Sequence, residues 1–168
     1  MGRVVITDYL YENIDEERQI IEEAGHELYA CQCQNEDEVI EACKDADGVI
    51  IQYASGSRRV IENCPKLKVI SRYGIGYDTV DTAAATEYGV YVANVPDYCL
   101  DEVSSHAIAL LMTLARGILP LDRETASGGW DYSVARPVYR MAGRTLGILG
   151  CGRIGRLVAH KMSTFGLH

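Results

Sequence analysis

The chain lacks any apolar run close to the roughly 18 residues that a membrane-spanning helix needs. Its first residues also lack the charged start and apolar centre of a secretory signal, because Met1 leads directly into a β-branched stretch. These absences predict a cytoplasmic protein with no membrane partner. No internal repeat or low-complexity stretch is found either, so a solenoid or a disordered tail is not expected.

An excess of basic residues is also missing. Lys and Arg number 16 against 24 Asp and Glu, which gives a formal net charge of -8. A negative surface repels a phosphate backbone, so the composition argues against a nucleic-acid partner. Apolar residues make up 48% of the chain, which is enough to build a buried core.

The six cysteines show no CxxC pair. Without such pairs neither a zinc site nor a disulfide framework is well supported, and no metal site is expected. Cys31 and Cys33 would share one face of a strand. We predict reduced, buried thiols at positions 31, 33, 43, 64, 99 and 151.

Short apolar strands alternate with amphipathic helices over the first 93 residues. Strands that are apolar on both faces and separated by helices indicate an α/β fold, a doubly wound parallel sheet with right-handed crossovers. Asp15 is expected to cap the first helix, which Gly25 ends. The predicted strands are residues 3–7, 26–31, 48–51, 67–71 and 90–93, and the later predicted helices are residues 36–43, 58–63 and 81–88.

A glycine pattern, GxGxxG, ends the apolar run of residues 145–149. In dinucleotide-binding folds the first glycine makes a tight turn, the second admits a pyrophosphate, and the third lets the following helix pack closely on its strand. Residues 153–165 have helical spacing, so a helix N-terminus would face the phosphates. The predicted cofactor-binding residues are Gly150, Cys151, Gly152, Arg153, Ile154 and Gly155.

Two loops follow the third and fourth predicted strands, where parallel sheets bind ligands. One runs Gln52-Tyr53-Ala54-Ser55-Gly56. The other, residues 72–78, carries Gly74 and Gly76 on either side of Ile75, a pattern that can expose backbone amides to a carboxylate beside the charge of Arg72. An ordinary strand-to-helix turn capped by Asp78 or Thr79 is an equally good interpretation of the spacing.

Three segments together resemble the D-isomer-specific 2-hydroxyacid dehydrogenase family: RYGIGYDTVDTAAATEYGVYVANVP, DYCLDEVSSHAIALLMTLAR and MAGRTLGILGCGRIG. Their order and spacing extend the resemblance over nearly the whole chain. The VPDYC stretch and the QYA loop are most similar to the C-terminal-binding-protein-like branch, next to the phosphoglycerate dehydrogenases.

The resemblance implies two doubly wound domains facing each other across a cleft. Residues 1–98 would form the flavodoxin-like substrate domain. Residues 99–168 would hold an interdomain helix, a dimerisation arm and the first βα unit of a truncated Rossmann NAD-binding domain. The arm, residues 117–140, implies a homodimer, although its aromatic residues could also pack locally. The interdomain helix, residues 100–116, is expected to bury a stripe of Leu100, Val103, Ala107, Leu110, Leu111 and Leu114.

The family chemistry transfers a hydride between a nicotinamide and a 2-hydroxy or 2-oxo acid. Its catalytic His, Glu and Arg follow the first Rossmann βα unit, so they are expected beyond residue 168, and no catalytic residue is assigned to this chain. Ile75 would lie near the cofactor as well as the substrate. The substrate-binding residues implied by the resemblance are Gln52, Tyr53, Arg72, Tyr73, Gly74, Ile75 and Gly76.

Several alternatives stay open. Gln52 stands where phosphoglycerate dehydrogenases tend to have a basic residue, which argues against a phosphorylated substrate. The expected cofactor is NAD, with NADP left open. The chain is expected to be a fragment of a longer dehydrogenase, inactive by itself, and the other interpretation is a naturally short product. The rival function is a non-catalytic, NAD-responsive scaffold similar to the corepressors of this branch.

Overall fold

A computed structural model describes the whole chain, residues 1–168. The chain divides into two compact units, Met1–Tyr98 and Cys99–His168. The first unit contains every strand and four helices, whereas the second contains only helices and irregular segments. The two units are therefore described separately.

The first unit is an α/β fold built on a five-stranded, fully parallel sheet with the order β2-β1-β3-β4-β5. Strand β2 lies on one side of β1, and β3, β4 and β5 are added on the other side, so the winding direction reverses at β1 as in flavodoxin-like folds. This confirms the predicted fold class. The strands are β1 Arg3–Ile6, β2 Glu27–Ala30, β3 Gly48–Ile51, β4 Val69–Arg72 and β5 Tyr91–Ala93, and the helices are α1 Asp15–Glu23, α2 Glu36–Cys43, α3 Arg58–Asn63 and α4 Thr82–Glu87.

The core of this unit lies between the central strands and the helices α2, α3 and α4. Val5 and Ile70 are almost completely buried, as are Val39 and Ile61 on the helices that cover them. Burying such side chains contributes about 1.5 to 3 kcal/mol each relative to exposure. The central strands are thus held by apolar contacts on the sheet faces, which leaves their carboxyl ends available for polar loops.

The helix starts differ in two places from the sequence prediction. Asp15 is the first residue of α1, not its cap, because Asn13 Oδ1 accepts the hydrogen bond from the Asp15 amide at 3.2 Å. Helix α4 is capped by Asp81, whose Oδ1 accepts from the Ala84 amide at 2.8 Å, so neither Asp78 nor Thr79 has the capping role. The loop after β4 is therefore not explained by helix capping.

The second unit contains α5 Leu100–Ala115, α6 Ile118–Ala126, a 3-10 helix Tyr132–Ala135 and α7 Arg153–Ser163. Helix α6 was missed by the sequence analysis, which assigned no helix to residues 117–140. Gly117 starts this helix in the left-handed conformation, with φ 63°. Pro120 lies in the first turn, where a missing amide hydrogen costs no helical bond.

No single helix is long and apolar enough to cross a membrane, whereas Leu100–Ala115 and Ile118–Ala126, bent by 68° from one another, pass that test together by length and composition alone.

The predicted strand at residues 145–149 is not formed. The amide of Leu146 donates to the carbonyl of His168 at 2.7 Å, and the amide of His168 donates to the carbonyl of Arg144 at 2.9 Å. This alternation is the pattern of a parallel pair, but it consists of two bonds only. Leu149 is fully exposed. A strand needs neighbours to satisfy its backbone groups, so this segment stays irregular.

The expected buried stripe on α5 is also wrong for this chain. Leu110 and Leu114 are 55% and 77% exposed, and Val103 is exposed as well. The completely buried side chains of the second unit are Ser104 and Met162. Residues 100–115 form a helix as predicted, but the other residues of the second unit do not cover its apolar stripe.

The thiols are all free, and their burial differs from the prediction. Cys43 and Cys64 are buried, Cys31, Cys33 and Cys99 are half-buried, and Cys151 is exposed. Burial raises the pKa of Cys64 to about 11, as expected for a thiol among apolar neighbours.

Candidate functional site

Asp8 organises the loop that follows β3. Its carboxylate accepts three backbone hydrogen bonds, from Gln52 at 3.0 Å, Tyr53 at 2.5 Å and Ala54 at 3.2 Å. Thr7 adds a hydroxyl bond at 3.0 Å. The carboxylate thus joins the carboxyl ends of β1 and β3, the edge at which open α/β sheets bind ligands. The sequence analysis missed Asp8, although an acidic residue directly after a buried strand was the available signal.

The substrate candidates Gln52 and Tyr53 differ in what they can offer a ligand. Gln52 is 9% exposed, and its side-chain carbonyl accepts from the Leu10 amide at 2.7 Å. Tyr53 has an exposed side chain, but its amide is bound to Asp8. The backbone amides of residues 52–54 are therefore occupied, and the groups of this loop that can contact a substrate are the Tyr53 ring and the Gln52 side-chain amide.

The loop after β4 has an unusual backbone at Gly74. Its φ is 142°, a region that L side chains rarely adopt. A Cβ atom built there would lie 1.6 Å from Nη1 of Arg72. The guanidinium of Arg72 consequently lies in the space that any larger residue at position 74 would occupy. Gly76 differs, because its φ is ordinary and an added Cβ would meet only Asp78 Oδ2 at 3.4 Å.

The carbonyl groups of this loop are held by the chain after β5. Asn94 Nδ2 donates to the Ile75 carbonyl at 2.7 Å, and the Val95 amide donates to the Gly74 carbonyl at 3.0 Å. With the carbonyls fixed in this way, no protein group accepts a hydrogen bond from the amides of Ile75 or Gly76. Two successive amides without an acceptor in the chain are available to an anion.

Arg72 adds positive charge beside these amides. Its Nε is buried and has no hydrogen-bond acceptor within the chain. A buried charged donor without an acceptor is costly, and a carboxylate is the acceptor that suits a guanidinium best. Ile75, Gly76 and Arg72 thus have the chemistry of a carboxylate site.

Tyr73 is engaged within the protein. Its hydroxyl donates to Glu17 Oε1 at 2.9 Å, and its ring packs edge-on against Tyr11 with 5.3 Å between ring centroids. Burial, together with the hydrogen bond to Glu17, raises the pKa of Tyr73 well above its ordinary value. The hydroxyl therefore stays protonated and fixes the start of the loop.

In the second unit, two glycines of the GxGxxG turn occupy positions that require glycine. Gly150 has a φ of 92°, which allows the tight turn. A Cβ at Gly155 would lie 2.2 Å from the Gly150 carbonyl oxygen, so only glycine permits this close approach, whereas a Cβ at Gly152 would meet nothing within 4 Å. The turn therefore has the tight bend, the open space and the close approach that the GxGxxG spacing predicts.

Helix α7 begins directly after Gly152, and no side chain caps that end. Its first turn, which includes Arg153, Ile154 and Gly155, has no acidic residue to oppose an anion. Cys151 and Arg153 are exposed at the turn. Whether these residues, or Ile75 in the first unit, contact a cofactor stays a prediction.

Comparison with known proteins identifies the family to which the chain is similar. The family model for the catalytic domain of D-isomer specific 2-hydroxyacid dehydrogenases matches residues 4–164. A D-3-phosphoglycerate dehydrogenase from Methanocaldococcus jannaschii is 35% identical over 169 residues, covering 100% of this chain and 31% of that protein. A glyoxylate reductase from Korarchaeum cryptofilum is 37% identical, covering 77% of this chain and 40% of the relative.

A solved structure is similar over almost the whole chain. The NAD-dependent formate dehydrogenase of Staphylococcus aureus, in complex with NAD, has a TM-score of 0.82 and 29% identity, covering 99% of this chain and 54% of its own. The chain thus spans about a third to a half of the length of these proteins. With its sheet order, its glycine turns and a family match over residues 4–164, the chain belongs to the D-isomer-specific 2-hydroxyacid dehydrogenase family.

Proposed function

We propose that the protein containing this chain is an NAD(P)-dependent oxidoreductase that interconverts a small D-2-hydroxy acid and its 2-oxo acid. The observation that carries the proposal is the pair of free amides at Ile75 and Gly76, held open beside the unpaired Arg72 Nε at the carboxyl end of β4. A carboxylate is common to all substrates of this class. Residues 1–98 act in this proposal as the substrate domain.

The carboxylate accepts hydrogen bonds from the Ile75 and Gly76 amides, and Arg72 neutralises its charge. This fixes the substrate at one end and leaves its C2 carbon free for reaction. Tyr53 and Gln52 contact the remainder of the substrate. Gln52 is uncharged, and this favours an acid without a phosphate group over phosphoglycerate.

The GxGxxG turn supports a nicotinamide cofactor, which accepts or supplies the hydride when bound. Gly150, Gly152 and Gly155 leave room for a pyrophosphate, and the N-terminus of α7 stabilises its charge. NAD is the preferred candidate, and NADP requires a different ribose contact. The family's proton-transfer groups are expected beyond residue 168, so the 168 residues alone are proposed to be inactive.

Amide NMR tests the substrate site on the 168-residue chain. Glyoxylate titrated into the labelled protein is expected to shift the Ile75 and Gly76 amide signals, and glycolaldehyde, which has no carboxylate, is expected not to. The Gly25 and His26 amides serve as internal controls, because both are hydrogen-bonded within the chain and precede β2, at the opposite end of the strands from the loop after β4. Shifts at Gly25 and His26 with none at Ile75 and Gly76 would overturn the proposed site.

Activity is tested on a polypeptide extended through the complete cofactor domain. It is expected to oxidise NADH in the presence of a 2-oxo acid, whereas the 168-residue chain does not. An extended polypeptide that binds NADH without turnover of any 2-oxo acid would replace the proposal with the non-catalytic scaffold.

A further inference from the structure

Two thiols lie in contact at the end of β2. The Sγ atoms of Cys31 and Cys33 are 3.5 Å apart, and Cys31 Sγ also lies 3.3 Å from the Ile6 carbonyl oxygen. Neither thiol belongs to the proposed substrate or cofactor sites. Both are half-buried and free.

The backbone hydrogen bonds of the two cysteines depart from a regular strand pattern. Cys31 donates its amide hydrogen to Ile6 and Cys33 donates to Thr7, at 2.9 and 2.8 Å. The donors are thus two residues apart while the acceptors are adjacent, which is the arrangement of a β-bulge. A regular strand holds alternate Cα atoms near the upper limit for a disulfide, and a bulge shortens that separation.

A small molecule can reach the pair. Both thiols line a cavity of about 510 Å³, together with Arg3, Tyr29, Glu38 and Lys44. The charged groups that face the thiols include the carboxylates of Asp8 and Glu38. Cys43, which is completely buried, and Cys64 lie deeper in the same core.

The two thiols are not equivalent. Burial raises the pKa of Cys33 to about 12, and its hydrogen bond with Cys31 adds to the effect. Burial also raises the pKa of Cys31, but the same hydrogen bond opposes that rise. Because the Ile6 carbonyl can only accept, Cys31 donates its hydrogen to Ile6 and Cys33 donates to the Cys31 sulfur, and this bond favours Cys31 for the first attack. Oxidation is slow near neutral pH because burial keeps the thiolate fraction small.

We propose that Cys31 and Cys33 form a reversible dithiol modification site that a hydroperoxide converts to an intramolecular disulfide. The Cys31 thiolate attacks one peroxide oxygen, the O–O bond breaks, and the sulfur becomes a sulfenic acid while water or an alcohol leaves. Cys33 then attacks that sulfur, the S–S bond forms, and a second water leaves. The two thiols together lose two electrons, which reduce the peroxide.

The test uses the full 168-residue chain with Cys151→Ser, which removes the exposed thiol of the other unit. After exposure to hydrogen peroxide and alkylation in denaturant, cleavage after glutamate releases peptide 28–36, which carries Cys31 and Cys33 without Cys43. This peptide is expected to be two hydrogens lighter and unalkylated. The rate of disulfide formation should rise roughly tenfold for each unit by which the pH is raised, as long as the pH is below the pKa of Cys31.

Single variants separate the pair from a nonspecific reaction. Cys31→Ser is expected to slow the loss of the Cys33 thiol at least about tenfold, because the first attack is removed. Cys43→Ser is the matched control and should leave the rate unchanged. A trivalent arsenical, which bridges two neighbouring thiols, should block peptide 28–36 in the parent chain and in Cys43→Ser but not in Cys31→Ser. Equal rates in Cys31→Ser and parent, or a disulfide from either thiol to Cys43, would overturn the proposal.

Discussion

The two units of the chain differ in how far they bury the apolar side chains of their amphipathic helices. Helix α2 in the first unit buries Val39 to 2% exposure, whereas α5 in the second leaves Leu114 at 77%. Both helices have apolar residues at helical spacing. The difference lies in the neighbours, because the first unit has five paired strands and the second has none.

Periodicity in the sequence therefore identifies the face that a helix can bury. It does not show whether another part of the protein packs on that face. The second unit exposes a further apolar set on and around α6, the segment expected to act as an arm. Soluble monomers rarely expose contiguous apolar surface of this kind without a partner. The exposed set comprises Ile118, Leu119, Trp130, Tyr132, Val134 and Tyr139.

The largest expected effect concerns association through this arm. Trp130, the only tryptophan of the chain, is 91% exposed. We expect a two-fold dimer in which Trp130 of each copy is buried. Trp130→Ala should then weaken dimerisation about 1,000-fold, since each copy loses roughly 2 kcal/mol and both copies contribute. Sedimentation velocity over a dilution series measures this.

Tyr91→Ala is the matched control, because Tyr91 is an exposed aromatic residue of the first unit. It should leave dimerisation unchanged. The parent protein provides a second readout, since Trp130 fluorescence should shift to the red on dilution. A chain that stays monomeric at high concentration, with Trp130 emission typical of water, contradicts the dimer.

The next effect concerns the stability that the Asp8 hydrogen bonds give to the loop after β3. Asp8→Ala removes the acceptor of three backbone amides and should lower the free energy of unfolding by about 3 kcal/mol. Asp45→Ala is the control, because Asp45 makes only an exposed ion pair with Lys66. Urea denaturation measures both. Equal losses in the two variants would show that the Asp8 bonds add nothing to stability.

The smallest effect distinguishes the two glycines of the carboxylate loop. Gly74→Ala should cost about 1 to 2 kcal/mol, since alanine is strained at a φ of 142° and the Arg72 guanidinium must move. Gly76→Ala should change stability by less than about 0.5 kcal/mol. The same denaturation experiment compares them, and a larger loss at position 76 would refute the assigned backbone roles.

Much of the first unit was predictable because its signals are local. Short apolar strands and capped helices specify their own conformation, so β3, α2 and α3 match the expected residues. The geometry of Gly150 and Gly155 was also predictable, since GxGxxG combines a tight turn with a close helix contact.

The remaining features depend on long-range contacts. The bonds from Gln52, Tyr53 and Ala54 to Asp8 join residues more than 40 positions apart. The position of Asp8 after a buried strand was visible in the sequence, but its three partners were not. Residues 145–149 have strand propensity but no neighbouring strand. Gly74 and Gly76 looked equivalent in the sequence, and only the backbone distinguishes the one that must be glycine.

The shortness of β5 has a consequence for aggregation. This strand pairs with β4 through three residues only, and the chain then turns so that Asn94 and Val95 bind the carbonyls of the carboxylate loop. A long, flat edge would offer a template on which further chains could add as strands. Because the residues that end the edge also shape the loop, a mutation that extends β5 would endanger solubility and ligand binding together.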